Sequence, residues 1–339
     1  MQVRHAGHDR PLQWHAFASL PRDATGMPTL DELERVAIAL RQRGFDGTRV
    51  VIAAPQSALF TDVIDTPPPE SNAPVMQIVR SEMARGAQLA NEPFVCQFWP
   101  LPKSARAGSS SQVMAVAFKE SGAAPYVDLF AAAGLDLCAI DSPASALARA
   151  CSPVSTDAQL VLLADLGALC SNLVLASQGR VVYQRSLADF GMDALARELA
   201  GEFSLQLDEA VAMLDTVGAV SVMVNDPASS IERQAIENSI RSKRIRALIA
   251  QHLDGLAREI NVSIEYAGHR FPQLPIEALS LSGGGAGLAG VSSYLTNVIG
   301  LPVEPAHEAD VTIGPSIPVE PLTRAAGLMA LGLALNEGE

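Results

Sequence analysis

Three short apolar runs follow one another near the middle of the chain, and they constrain the fold more than any other feature. They occupy residues 159–187, are rich in Val and Leu, and are separated by turn sequences at Gly167 and at Gln178–Gly179. Such runs, bounded by glycine-containing turns, are typical of consecutive antiparallel strands. The segment therefore predicts a three-stranded meander, and the helical patterns that follow it favour an α/β protein.

Helix and strand patterns also alternate along the rest of the chain. Thr29 and Glu32 form a capping-box pattern, and apolar positions then recur at helical spacing as far as Gly44. Three consecutive prolines, Pro67–Pro69, follow two β-branched runs and indicate a boundary. We expect a partial first lobe in residues 1–66, an inserted subdomain and link in 67–150, and a second lobe with a closing helix in 151–339.

Composition and charge exclude several functional classes. The formal net charge of -13 argues against nucleic-acid binding and against a broad anionic-lipid surface, because both depend on Lys and Arg. The N-terminal segment contains no apolar run of signal-peptide type, and the sequence has no long uncharged apolar stretch. We therefore expect a cytoplasmic protein that does not insert directly into a membrane. The cysteines lack metal-binding spacing.

The first candidate site lies at the first turn of the predicted meander, at Asp165 and Gly167. A glycine-containing turn between strands exposes backbone N–H groups that can bind a phosphate. A carboxylate beside such a turn can hold Mg²⁺ through water. Taken alone, the sequence Asp165–Gly167 is more often an ordinary hairpin turn, so its interpretation depends on the other motifs in the chain.

The second candidate site is a glycine-rich loop, Ser282–Gly285, between a predicted strand and an amphipathic helix that ends at Gly300. Glycines there allow a ligand to approach the backbone, and a helix N-terminus favours an anion or a polar ring. A tight strand-to-helix turn is the alternative explanation. The spacing matches neither the dinucleotide-binding fingerprint nor the Walker phosphate loop.

In this order, the two motifs resemble the second phosphate turn and the adenosine loop of actin-like ATPases. The closer resemblance is to the PilM family of type IV pilus assembly proteins, and it covers most of the chain from about Arg49 onward. The segments similar to that family are the link 131–150, the phosphate hairpin with its helices 162–210, the glycine loop with its helix 278–304, and the closing helix 324–335.

The resemblance implies an actin-like (ribonuclease H-like) two-lobed α/β fold, with mixed sheets flanked by helices and a small inserted α+β subdomain. It implies ATP and Mg²⁺ as ligands, with Mg²⁺ held by Asp165 through water, and it identifies no catalytic residue. It also adds Glu259, because Glu259–Ile260 matches a family helix motif, although Val262 stands where the family has arginine. The implied cofactor-binding residues are Asp165, Gly167, Ser282, Gly283, Gly284, Gly285 and Glu259.

The start of the chain resembles the strand that follows the family's first phosphate turn, so half of the phosphate clamp is missing. We therefore expect a weak or degenerate ATP cleft, in which ATP and Mg²⁺ binding is reduced or lost. A displaced translation start is the rival explanation.

The resemblance also implies a protein partner. In the PilM family the inserted subdomain helps form a groove for the short cytoplasmic N-terminal peptide of an inner-membrane pilus assembly protein. Phe98 and Trp99 fall in this subdomain and are candidates either for that groove or for ordinary core. The leading hypothesis is a cytoplasmic scaffold of type IV pilus assembly, or of related type II secretion machinery, recruited to the inner membrane by its partner. A competent actin-like ATPase, a sugar-kinase-like enzyme and a polymerising cell-division or shape protein are the alternatives.

Overall fold

The computed structural model describes residues 1–5, 12–16, 27–86, 89, 92–103, 111–152, 159–217, 233–307, 311–313 and 321–336. In these residues the strands are β1 (Gln2–His5), β2 (Leu12–Ala16), β3 (Arg49–Ala53), β4 (Leu59–Thr66), β5 (Phe94–Pro100), β6 (Ser111–Lys119), β7 (Asp136–Asp141), β8 (Leu160–Leu166), β9 (Ser171–Ser177), β10 (Arg180–Leu187), β11 (Ile276–Ser282), β12 (Val303–Pro305) and β13 (Val311–Ile313). The α-helices are α1 (Leu30–Gln42), α2 (Val75–Gly86), α3 (Glu120–Ala132), α4 (Pro143–Cys151), α5 (Met192–Phe203), α6 (Leu207–Val217), α7 (Arg233–Arg270), α8 (Val291–Ile299) and α9 (Pro321–Ala334).

The largest sheet contains the predicted meander. Its strand order is β10-β9-β8-β11-β12, with β8, β9 and β10 antiparallel and with β11 parallel to both β8 and β12. The turn between β9 and β10 has positive φ at both Gln178 and Gly179, 51° and 73°. Two positive φ angles match the right-handed twist of the flanking strands, which explains why this dipeptide closes the hairpin.

Helices cover both faces of this sheet. Leu162 of β8 and Leu281 of β11 pack in a large core together with apolar residues of α5 to α8. Leu163 of β8 instead packs with Leu147 of α4 and Leu331 of α9. Because successive strand residues point to opposite faces, Asp165 lies on the α4 and α9 side, as Leu163 does.

The first lobe is completed by the C-terminal part of the chain. β1 and β2 form an antiparallel pair, β13 adds to β2 in parallel, and β3 pairs in parallel with β7. Helix α9 contacts β1 and β3 and packs closely on α4, as its small residues predict. Residues that were assigned to the second lobe by sequence therefore contribute strand β13 to the first, and the closing helix α9 contacts both lobes.

The small subdomain is a three-stranded sheet, β4-β6-β5, that packs against α2. Its core includes Ile64, Val79 and Met83. The sequence predicts a boundary at residue 67, whereas β4 pairs with β6 along its whole length, so this sheet begins at Leu59. Prolines mark the end of β4 rather than the start of the subdomain, because proline cannot donate a ladder hydrogen bond.

Two helices illustrate what local sequence determines. Helix α1 begins as predicted, since the Thr29 side chain accepts from the backbone N–H of Glu32 and the Glu32 side chain accepts from that of Thr29. Helix α7 is the longest, with charged residues distributed along it. In the described part of the chain, no helix combines the length and the apolar character needed to cross a bilayer.

Candidate functional site

The two sequence motifs meet where the parallel strands β8 and β11 end. Ser282 lies opposite Asp165 in the register of this pair. The Ser282 hydroxyl donates a hydrogen bond of 2.9 Å to Asp165 Oδ1, although 117 residues separate them in sequence. Ligand sites in α/β folds form at the carboxyl ends of neighbouring parallel strands, and both motifs lie there.

The glycine loop is pressed against the end of β8 at two of its three consecutive glycines. A Cβ atom at Gly283, which has φ of +81°, would lie 2.7 Å from both Asp165 Oδ1 and the carbonyl oxygen of Leu166. A Cβ atom at Gly285 would lie 2.6 Å from Met192 Sδ. Gly284 is exposed, and a Cβ there would meet no atom within 4 Å. Only Gly284 therefore leaves room for a ligand.

The turn that contains Gly167 is oriented by the start of helix α5. Its Gly167 and Ala168 carbonyls accept hydrogen bonds of 2.9 Å from the backbone N–H groups of Met192 and Asp193. Within the described ranges, the N–H groups of Ala168, Leu169 and Cys170 have no hydrogen-bond partner. Because the helix occupies the carbonyl side of the turn, its amide side is free to donate to an anion.

Asp165 is nearly buried, with 6% of its surface exposed. Burial raises the pKa of its carboxyl group, and hydrogen bonds from Ser282 and Asn172 oppose that effect without cancelling it. A carboxyl group that is costly to ionise is a poor anchor for Mg²⁺, since the cation needs a charged oxygen ligand or an ordered water held by one.

This raised pKa makes a pH-dependent prediction for Asp165→Asn. A folded-state pKa above the ordinary value of 3.8 means that the acid contributes stability below that pH and loses it as the pH rises through the folded-state value. The asparagine side chain of Asp165→Asn does not titrate, so this variant has no such loss of stability. We expect urea denaturation to show Asp165→Asn gaining in stability relative to the unmodified chain as the pH rises above the ordinary aspartate value of 3.8. A difference that is constant with pH would contradict the raised pKa.

The structure does not place Glu259 beside Asp165 and the glycine loop. Glu259, on α7, forms an ion pair of 2.6 Å with Arg185 of β10. Arg185 lies opposite Leu173, whose side chain belongs to the core on the α5 to α8 side of the sheet. Asp165 points to the other face. A role for Glu259 in nucleotide binding would require its ion pair with Arg185 to open.

A tyrosine not indicated by any sequence motif ties the region after the glycine loop to helix α7. Tyr294, on α8, donates a hydrogen bond of 2.8 Å to Asp254 Oδ1. Burial raises the pKa of Tyr294 to about 12, and the contact with Asp254 acts in the same direction. The phenol therefore stays protonated and keeps donating over the whole physiological range.

The small subdomain contains a groove beside its edge strand. The groove has a volume of about 330 Å³ and lies between the start of β4 and the end of α2. Phe98 packs into the core of this subdomain and does not line the groove, and Trp99 contacts the second lobe. The lining residues are Leu59, Phe60, Thr61, Asp62, Met83 and Gly86.

The model of one protein family, the type IV pilus assembly protein PilM, matches residues 2–215. The chain belongs to the PilM family. No curated protein sequence matches it.

One solved structure agrees with this assignment at the level of the fold, and two others are reported beside it. A PilM-PilN type IV pilus biogenesis complex is 23% identical and covers 99% of this chain and 95% of that chain, with a TM-score of 0.71. The ethanolamine utilization protein EutJ from Carboxydothermus hydrogenoformans is 18% identical over 63% of this chain and 60% of its own, with a TM-score of 0.40. MreB5 of Spiroplasma citri bound to ADP is 16% identical over 64% and 65%, with a TM-score of 0.44. The predicted actin-like, two-lobed α/β fold is confirmed.

In this PilM family member, sequence reasoning missed two residues that shape the candidate site. Asn172 faces Asp165 across the hairpin, and the length of the turn could have indicated that pairing. Met192 fills the space above Gly285, and no local pattern signals a contact between residues so far apart.

Proposed function

We propose that this chain is a cytoplasmic scaffold of type IV pilus assembly that docks the short N-terminal peptide of an inner-membrane partner, with a weak ATP cleft. The observation on which the proposal rests is the PilM family match over residues 2–215. The structural match is a PilM-PilN complex, which supports a protein partner for a chain with this fold. Attachment to the membrane would then be indirect.

The groove beside β4 is the docking site that the geometry supports best. Among the described strands, β4 pairs only with β6, so its outer edge keeps backbone groups that an extended peptide could pair with. Met83 gives the groove a buried apolar floor, whereas Thr61 and Asp62 are exposed at its rim. The expected occupant is an extended peptide with an apolar side chain and a basic group facing Asp62.

Asp62→Arg tests this docking site. We expect the charge reversal to weaken peptide binding by about tenfold or more, because it replaces an attraction by a repulsion at the groove rim. The probe is a labelled peptide with the cytoplasmic N-terminal sequence of the inner-membrane protein encoded beside this chain, followed by fluorescence polarisation. Gln97→Arg is the control, since Gln97 is exposed on the opposite edge strand of the same sheet. Equal losses in both variants, or no binding by the unmodified chain, would argue against docking here.

The cleft supports nucleotide binding in part. The free N–H groups of residues 168–170 suit a phosphate, and the open side of Gly284 suits the remainder of a nucleotide. Asp165 would hold Mg²⁺ through water, but its burial and raised pKa disfavour the charged form. Glu259 is occupied by Arg185. These residues fit a phosphate group better than they fit a magnesium ion, which is why we propose a weak site without assigning hydrolysis.

A further inference from the structure

Polar contacts join the small subdomain to the second lobe, beside the apolar contacts that Trp99 and Leu101 make with the second-lobe cores. Arg270, at the end of α7, donates a hydrogen bond of 2.6 Å to Gln112 Oε1 of β6, and Gln112 donates one of 2.7 Å to Asp65 Oδ1 of β4. We call these three residues the interlobe latch. Two further bonds of 2.6 Å lie beside it, from the Trp99 indole to the Val181 carbonyl and from the Gln273 side chain to the Lys103 carbonyl.

The second lobe positions the latch arginine but does not satisfy it completely. The Arg270 guanidinium lies 5.7 Å from the ring centre of Tyr266, and Tyr266 stacks on Tyr183 with ring centres 4.5 Å apart. The aromatic pair therefore restricts the orientation of the guanidinium. Arg270 Nε is buried without a hydrogen-bond partner among the described residues. An unsatisfied buried donor offsets part of the gain from the bond to Gln112, so the closed latch is only modestly favoured.

The latch is connected along β4 to the groove and along α7 to the helix that follows the glycine loop. On one side, β4 contributes both the groove-lining residues 59–62 and the latch residue Asp65, which lies opposite Gln112 in the sheet register. On the other side, α7 carries Arg270 and also Asp254, which accepts from Tyr294 of α8, directly after the glycine loop. One strand thus connects the latch to the groove, and one helix connects it to α8.

We propose that the interlobe latch fixes the orientation of the small subdomain and that its opening is the movement through which docking beside β4 reaches α7 and the glycine loop. The functional meaning of this movement rests on the proposed function, because it assumes a ligand in the groove. The latch itself is a property of the ligand-free chain. Coupling between sites needs an element with two arrangements that both sites can bias, and a partly satisfied polar contact provides one.

Hydrogen-deuterium exchange of the ligand-free full chain tests the latch. Arg270→Met keeps an apolar stem over Tyr266 but removes the guanidinium. We expect backbone amides of residues 59–62, in the other lobe, to exchange about tenfold faster or more, because a hydrogen bond to a charged group is lost. Arg258→Met is the matched control, since Arg258 is exposed on the same helix and bonds only within it. Unchanged exchange at 59–62 in Arg270→Met would overturn the proposal.

A second variant and a fluorescence measurement distinguish opening of the latch from a folding defect. Gln112→Met opens the latch from the small subdomain, and we expect faster exchange in residues 266–270 of α7. The chain has two tryptophans, so Trp14→Phe leaves Trp99 as the single reporter at the interface. Its emission should move to longer wavelength in both latch variants and stay unchanged in Arg258→Met. If either variant speeds amide exchange only in the part of the chain that carries the substitution, the latch does not connect the small subdomain to the second lobe. Because no peptide or nucleotide is added, these results stand apart from those that test docking or ATP binding.

Discussion

Gly332→Ala should lower the free energy of unfolding by about 1 to 3 kcal/mol, although glycine to alanine within a helix normally stabilises it by about 1 kcal/mol. Gly332 lies in α9, where a Cβ atom would overlap the backbone of Ala146 in α4. The same contact holds a hydrogen bond of 2.6 Å from Arg149 to the Gly332 carbonyl. An added methyl group must separate the two helices and strain that bond.

Urea denaturation with Gly268→Ala as the control measures this effect. Gly268 is also helical, in α7, but it is exposed and a Cβ there would meet no atom within 4 Å. This control should gain stability as an ordinary helix position does, by about 0.5 to 1 kcal/mol. Opposite signs for the two variants support the close packing of α9 on α4. A gain in both would show that the two helices lie further apart.

Gly283→Ala is expected to cost about 2 to 4 kcal/mol, the largest effect at the candidate site. Part of the loss comes from φ of +81°, a conformation that disfavours any side chain by about 1 to 2 kcal/mol. The rest comes from overpacking, because the new Cβ would approach the Leu166 carbonyl and the Asp165 carboxyl group. The substitution therefore separates the two motifs that form the cleft.

Gly284→Ala provides the comparison for this prediction. Gly284 is the next residue in the loop after Gly283; it is exposed, and an added Cβ there would contact no atom. The free energy of unfolding, measured by thermal denaturation, should therefore change by less than about 0.5 kcal/mol. The two variants carry the same substitution at adjacent positions. Similar losses in both variants would mean that the loop does not lie against β8 as described.

Local sequence predicted the elements whose formation depends on neighbouring residues. The capping box at Thr29 and the turn at Gln178 and Gly179 form the predicted structures because the same short segment supplies all the partners. The end of β4 was different. Its prolines indicate a break, but they do not tell which sheet the preceding strand joins, and that depends on β6, far along the chain. The pairing of β13 with β2 is non-local in the same way.

The candidate site was predictable to a similar extent. Glycine turns can be found in sequence, and the resemblance placed Asp165 and the glycine loop in one cleft, but the bond between Asp165 and Ser282 depends on the register of parallel strands. Glu259 was predicted to bind the cofactor only because Glu259–Ile260 resembles a helix motif of the family. Its ion pair with Arg185 could not be predicted, because the position of α7 on the sheet is set by core packing over many residues.

Calorimetric titration of the full chain with ATP and Mg²⁺, beside Gly284→Val, tests the account most directly. The account predicts a dissociation constant of about 100 µM or weaker, since the phosphate donors are present while Asp165 disfavours its charged form. Gly284→Val should abolish this heat without loss of stability, because its side chain enters only the open side of the loop. Binding at about 1 µM or tighter would contradict the weak cleft and would favour a competent actin-like ATPase.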